Sequence, residues 1–298
     1  MNRKIFGVSF VLASAASAAV IVAVILIFMI TIMIGGWDHL TWEFITAAPE
    51  EGMTAGGIFP AIVGTVLLVL LMSLAGVPIG TITAVYLSEY ANRNSIFTKM
   101  IRFAVNTLAG VPAIVFGLFG VGFFIQFVGG GMDSFLSGTG EVHWRQGNIL
   151  WASLTMALLT LPVVIVSVEE ALRSVPGDYR EGSLALGATK FQTIVKIVLP
   201  NAYTGILTGT ILAVGRGAGE VAPILFTGAA YYLPHLPSSL SDQFMQLGYH
   251  LYIMATQSPD VEATLSIQYA TAFVLLILTF LLNFAAIILR SRLRARAR

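Results

Sequence analysis

Six apolar stretches alternate with polar segments along the chain, at 7–34, 58–87, 103–128, 149–168, 203–229 and 267–289. A helix crossing a bilayer needs about 20 mostly apolar residues. Each stretch meets that length, so the pattern predicts six membrane-spanning helices. Arg3 and Lys4 precede the first, and Ala13-Ser14-Ala15 has the small residues of a cleavage site. The apolar run continues about 20 residues past that point, too far for a secretory leader. An uncleaved helix is expected.

Composition narrows the class. Of 298 residues, 57% are apolar and 10% are charged, against about 25% charged in a soluble domain. Mean hydropathy is +0.86. Too few charges remain to cover a water-facing surface, which excludes disordered and ordinary soluble proteins. The absence of cysteine excludes disulfides, thiolate metal sites and cysteine nucleophiles.

The cations are unevenly placed. Arg3 and Lys4, then Arg93, Lys99 and Arg102, then Arg173, Arg180, Lys190 and Lys196 fall on one side of the alternating spans. Arg290, Arg292, Arg294, Arg296 and Arg298 join them after span six. Only Arg145 lies on the other side, and Arg216 falls inside span five. The positive-inside rule makes the first side cytoplasmic and puts both termini there. The opposite loops are acidic: Asp38, Glu43, Glu50 and Glu51 in 36–57, and Asp242, Asp260 and Glu262 in 230–266. Pro234, Pro237, Tyr231, Tyr232, Tyr249 and Tyr252 lie in the second of these loops. Such aromatics suit a membrane-interface belt or a surface for an extracytoplasmic partner. His143, His235 and His250 have no companion at metal-ligand spacing and read as surface or interface residues.

Spans two to five each contain a proline: Pro78, Pro112, Pro162 and Pro223. Mid-helix proline kinks a helix, so bent helices are expected. Among 29 glycines, the spacings Gly205 to Gly209 and Gly215 to Gly219 permit close helix contact. Bent, close-packed helices suit a transporter more than a set of lipid anchors.

The loop between spans four and five carries local structure signals. Pro176-Gly177 breaks the chain. Asp178, with Glu181 three residues on, reads as a capping box that starts a helix over 179–186. Gly187 is placed to end it in the left-handed conformation. Thr189 caps again, with Gln192 at its third position, and a second short helix runs to about Val198 before Pro200. Two short helices on a glycine turn make a compact knob suited to docking. A solvated connector is the plainer alternative.

Span five also contains Arg216 and Glu220, four residues apart and so on one helix face. An arginine at a helix centre costs about 2.5–3.5 kcal/mol on insertion scales, so the pair is expected to face the bundle interior. It fits either a structural ion pair or an anion site, where Arg216 offers a planar fork to an oxyanion and Glu220 holds it.

The loop resembles that of ABC importer permeases, whose pattern is E-A-A, three residues, G, nine residues, I, one residue, L-P. Here Glu181-Gly182-Ser183, Gly187, Ile197 and Leu199-Pro200 stand at that spacing. The departure is Gly182-Ser183 for two alanines. In that family the loop sits in a groove of an ATPase subunit. Over residues 56–290 the chain is similar to the phosphate-specific members, the PstA-type permeases. The words that carry this are GGIFPAIVGT, GVPAIVFGLFG, EEALRSVPGDYREGSLALGATK, GRGAGEVAPILFTGAA and MATQSPD.

The resemblance implies an all-α, six-helix fold of the type I importer (MetI-like) class. It implies phosphate passage at Arg216 and Glu220, and ATPase coupling at Glu181, Gly182, Ser183, Gly187, Ile197, Leu199 and Pro200. The implied partners are a homologous PstC-type permease, a PstB-type ATPase dimer and a PstS-type phosphate-binding protein. No G-x-x-x-x-G-K-[ST] phosphate loop occurs. ATP and Mg²⁺ are therefore expected on the partner ATPase, with no cofactor or covalent chemistry on this chain. The expected organisation is a first helix and outside loop (1–55), a permease domain (56–290, coupling loop 173–200) and an Arg-rich tail (291–298). Alternatives are a sulfate or molybdate permease, an ATP-independent anion carrier, and a scaffold. The docking-shaped loop argues against the carrier, and the intramembrane charges against the scaffold.

Overall fold

The computed structural model describes residues 2–92, 94–136, 142–258 and 261–296. Arg93, Arg298, Pro259 and Asp260 lie outside the described residues, as do the side chains of Arg3, Lys4, Arg294 and Arg296.

The chain opens with α1 (Asn2–Gly36) and a 3-10 turn (Trp37–His39). Helix α2 (Trp42–Thr46) follows, capped by the Thr41 hydroxyl, which accepts from the Phe44 N–H. Strands β1 (Pro49–Glu50) and β2 (Ala55–Gly56) form an antiparallel hairpin, with Pro49 opposite Gly56. Helix α3 (Phe59–Val85) ends in a π turn (Tyr86–Tyr90). After it come α4 (Ile96–Ala109), α5 (Ala113–Gly120), a nine-residue π stretch (Val121–Gly129) and α6 (Gly130–Leu136). Helix α7 (Ile149–Arg173) leads to α8 (Gly177–Ala185) and α9 (Lys190–Thr193). A π turn (Ile194–Val198) then joins α9 to α10 (Leu199–Gly219). The last helices are α11 (Ile224–Thr227), α12 (Leu247–Gln257) and α13 (Val261–Arg296).

Among the described residues, six helical runs are long and apolar enough to cross a membrane: Ser9–His39, Phe59–Tyr90, Ala113–Phe135, Ile149–Arg173, Lys190–Gly219 and Thr264–Arg292. The expected count of six is met. The third crossing starts ten residues later than expected. Residues 96–109 form the amphipathic α4, and Gly110-Val111-Pro112 separates it from α5.

Helix α7 is the hub of the bundle and packs against α3, α4, α5 and α10. Of its apolar window, 67% is buried, against 6% for α1. Its buried hydroxyls on Ser153, Thr155 and Thr160 donate back to carbonyls one turn earlier, so these three groups are satisfied within the helix. Glycines set the closest approaches. A Cβ at Gly205 would run into Ala171, one at Gly209 into Ser167, and one at Gly80 into Val164. The 205–209 spacing thus joins α10 to α7, as expected. The 215–219 spacing does not form a second seam: Gly215 faces Asn283 of α13, and nothing lies within 4 Å of a Cβ at Gly219.

The prolines divide into two kinds. Pro78 and Pro162 lie inside α3 and α7. Pro112 and Pro223 instead cap new helices, because the chain breaks before each of them.

The segment after α11 folds inward. Phe244, Met245, Gln246 and Leu247 are almost fully buried, and α12 packs on α3 and α13. This overturns the surface reading of His250, which is 2% exposed. Its Nδ1 has no partner among the described residues, and burial depresses its pKa to about 4. His143 and His235 are exposed, as expected.

Candidate functional site

Two places concentrate the unusual chemistry, and one helix connects them. Lys190–Gly219 is a continuous helical run, with its π turn at 194–198. Thr189 begins it with a reciprocal cap. The Thr189 hydroxyl accepts from the Gln192 N–H at 3.2 Å, and the Gln192 side-chain oxygen accepts from the Thr189 N–H at 2.8 Å. The second short helix of the expected knob is therefore the first turns of span five. Pro200 cannot donate a backbone hydrogen bond, and the wider π turn just before it absorbs that interruption without ending the helix.

At the near end of this run, α8 projects from the bundle with no buried residue. It begins at Gly177 after Pro176, whose side chain makes no cap bond. The expected Asp178–Glu181 capping box does not form. Proline presets the helical start one residue earlier, so Asp178 sits in the first turn, where its charge favours the helix dipole. Gly187 has φ +86°, the left-handed ending that its position implied. Across this turn the Ser183 and Thr193 hydroxyls meet at 2.9 Å. Ser183, the departure from the family's alanine, thus braces the two arms.

Glu181, Gly182 and Gly187 are exposed, and Ser183, Ile197 and Leu199 are half-buried. Gly182, Ser183 and Ile197 line an open hollow of about 540 Å³, together with Asp178, Tyr179, Leu186 and Asn201. Leu186 is 91% exposed and Phe191 67%. Two large apolar side chains are thus bared on an otherwise polar loop.

Ion pairs that the sequence reading missed fasten this end. Arg180 Nη2 donates to Glu89 Oε1 at 2.7 Å, and Arg102 Nη1 to Glu169 Oε2 at 3.0 Å. Arg173 lies 3.6 Å from the same Glu169 oxygen. Cations from three separate segments therefore gather at one end of the bundle. The signal available was a carboxylate near the end of a span, at Glu89 and Glu169, facing loops rich in arginine.

At the far end lies Arg216, roughly 24 Å from Pro200 along the axis at about 1.5 Å per residue. Gly217 rests on Met72 of α3, and Gly215 on the Asn283 amide. These small residues let the backbone beside Arg216 close onto two neighbouring helices. The Arg216 side chain points to the exposed face of the single chain. It has no ion pair or side-chain hydrogen bond among the described residues.

Glu220 is not on the same helix face. The helix stops at Gly219, and Glu220 is extended (φ −80°, ψ 133°). Pro223 has no N–H to return to the Gly219 carbonyl, and three glycines in five residues weaken the helix before it. The expected interior Arg216–Glu220 pair is thus replaced by an exposed arginine beside a helix break. The break is anchored from α12. Gln246 Nε2 donates to the Ala218 carbonyl at 3.3 Å, while Gln246 Oε1 accepts from the Tyr249 N–H at 2.6 Å. The Leu247 N–H donates to Thr65 Oγ1 at 3.0 Å. Nothing in the spacing of Gln246 or Thr65 pointed to the break 28 residues upstream of Gln246.

No group of three or more His, Asp or Glu suited to a metal exists among the described residues. A membrane bundle with a projecting two-arm loop at one end, and a helix broken beside an arginine at the other, fits a membrane permease that works with other subunits. Residues 76–298 match the family model described as the binding-protein-dependent transport system inner membrane component. The chain belongs to that family and is a multi-pass inner-membrane permease subunit of an ABC transporter.

The probable ABC transporter permease protein YqgI of Bacillus subtilis (strain 168) is 31% identical over 96% of this chain and 95% of its own length. The phosphate transport system permease protein PstA of Mycobacterium leprae (strain TN) is 39% identical over 63% of this chain. That alignment spans 56% of the M. leprae protein. Among solved structures, a bacterial alginate ABC transporter, in complex with its alginate pentasaccharide-bound periplasmic protein, matches 96% of this chain and 94% of its own (TM-score 0.65, 16% identity). An inward-facing MetNI methionine transporter matches 80% of this chain and 94% of its own (TM-score 0.57, 20% identity). At those identities the likeness is one of fold, the MetI-like type I importer fold.

Proposed function

We propose that this chain is the PstA-type permease of an ATP-driven phosphate importer, and that the helix Lys190–Gly219 is its working part. The observation that carries this is the continuity of that helix from the projecting loop to Arg216. The phosphate permeases named among its relatives support the choice of substrate.

A homologous PstC-type permease would complete the pathway against the exposed face that bears Arg216. Leaving a guanidinium in lipid costs about 2.5–3.5 kcal/mol, so a partner or an aqueous path is its proper neighbour. Phosphate in that path would meet the planar donor fork of Arg216. Glu220, just beyond the helix end, would limit how tightly the anion is held.

At the other end, Leu186 and Phe191 would seat in a PstB-type ATPase dimer, with Glu181, Gly182 and Gly187 beside them on the cytoplasmic face. ATP and Mg²⁺ would bind there and not on this chain. Closure of the dimer would push on Lys190 and move the far end of the same rod. A PstS-type binding protein would deliver phosphate at the acidic, tyrosine-bearing outer loops. This chain would orient the anion and carry motion, without covalent chemistry.

Reconstitution of the chain with these partners in liposomes tests the reading. The expected result is ATP-dependent phosphate uptake that excess sulfate does not compete away. Uptake without the ATPase subunit, or a preference for sulfate, would overturn it.

A further inference from the structure

The loop follows α7 and precedes α10 in the chain, but α3 does not adjoin it in sequence. The structure links the two through side chains. Arg180 Nη2 and Nε reach the two carboxylate oxygens of Glu89 at 2.7 and 3.3 Å. The same guanidinium donates to the carbonyls of Leu172 and Val175, both at 2.8 Å. Glu89 lies in the π turn that closes α3, and its side chain is 9% exposed, with Arg180 at 23%. A forked, largely desolvated pair of this kind is far stiffer than an ion pair in open water. The other arm of the loop reaches the same turn: Lys190 Nζ stands 5.1 Å from the ring centroid of Tyr90.

Both arms, braced to each other by Ser183 and Thr193, thus grip residues 86–90. Helix α8 buries no residue of its own, and Arg180 ties it to α3. Displacement of the loop therefore pulls α3 directly. Further along α3, Met72 lies under Gly217, next to Arg216. A π turn is a widened, weaker piece of helix and a natural place for such a pull to act.

We propose that Glu89 is a positioning residue for transport: through Arg180 it makes α3 a second transmission rod between the coupling loop and Arg216. This rests on the docking of residues 177–198 onto an ATPase. Uptake of phosphate and hydrolysis of ATP would be measured together in liposomes carrying the full importer.

Glu89→Gln keeps the side-chain volume and removes the charge. It should lower phosphate transported per ATP at least threefold while the ATPase subunit still co-purifies at wild-type stoichiometry. Arg180→Lys keeps the charge but loses the fork, and should lower the ratio by a smaller factor. Glu89→Asp should recover most of the ratio, and Lys99→Gln, an exposed cation nearby, should leave it unchanged. A ratio unaffected in both Glu89→Gln and Arg180→Lys would overturn the proposal. So would loss of the ATPase subunit from the Glu89→Gln complex, which would make the pair part of docking alone. A wild-type chain that never retains the ATPase would overturn the docking reading itself, and this proposal with it.

Discussion

Gly187 holds φ +86°, and a Cβ there would touch nothing within 4 Å. The cost of replacing it is therefore conformational and not steric, about 1–2 kcal/mol for a β-branched residue. Gly187→Val should loosen the loop and reduce transport per ATP, while Gly187→Asn, which tolerates this region, should be milder. Equal behaviour of the two in a coupled transport assay would contradict this account of the turn.

His250 makes a pH prediction. Its pKa in the fold is depressed to about 4 by burial, against an ordinary value of about 6.5. Below pH 6.5 the unfolded chain takes up a proton that the folded chain refuses. Stability from neutral His250 is therefore complete above that pH and is lost as pH falls toward 4, with a limiting slope of about 1.4 kcal/mol per pH unit. Melting in detergent between pH 7.5 and 5 should show the loss in wild type. It should be flatter in His250→Gln, and an unchanged slope in that variant would contradict the assignment.

Residues whose task is local were legible in the sequence. Gly187 and the Thr189–Gln192 cap needed only their neighbours. Arg216 with Glu220 was half legible. The charges stood out, but their pairing depended on where the helix ended, and Pro223 with Gly215, Gly217 and Gly219 ended it first. His250 was misread because its burial comes from α12 folding back against α3 and α13, contacts that no local pattern encodes.

At the scale of elements, span positions followed directly from hydropathy, while their ends depended on packing. Residues 103–109 are apolar enough to extend span three, yet Gly110-Val111-Pro112 detaches them as the end of α4. The opposite error occurred at Pro200, where a proline expected to separate two helices lies within one. A π turn cannot be read from composition, since it is a response of the backbone to that proline and to its neighbours.

The seam between α10 and α7 gives a further expectation. Gly209→Leu would drive a side chain into Ser167, and overpacking of this kind costs about 1–3 kcal/mol. Gly219→Ala, at an open position, should cost far less. Thermal melting of the two variants checks the order, and a reversed order would mean that α10 packs differently on α7.

For the whole molecule, the asymmetry of cations across six spans predicts the sidedness. The ion pairs Arg180–Glu89 and Arg102–Glu169 bind several of those same cations into one end of the bundle. What the single chain lacks is a cover for Arg216. Under the proposed function, Arg216 at the helix break would be half of a site that a partner permease against that face completes. The sequence could announce the charge but not the face it would present.

The central claim is that Arg216, at the far end of the Lys190–Gly219 helix, handles the transported anion under control of an ATPase at the near end. The most direct measurement is ATP-dependent phosphate uptake by the reconstituted importer, comparing wild type with Arg216→Gln. The account predicts a loss of at least tenfold in uptake, with assembly of the complex and basal ATP hydrolysis retained. Uptake by Arg216→Gln at the wild-type rate would contradict it.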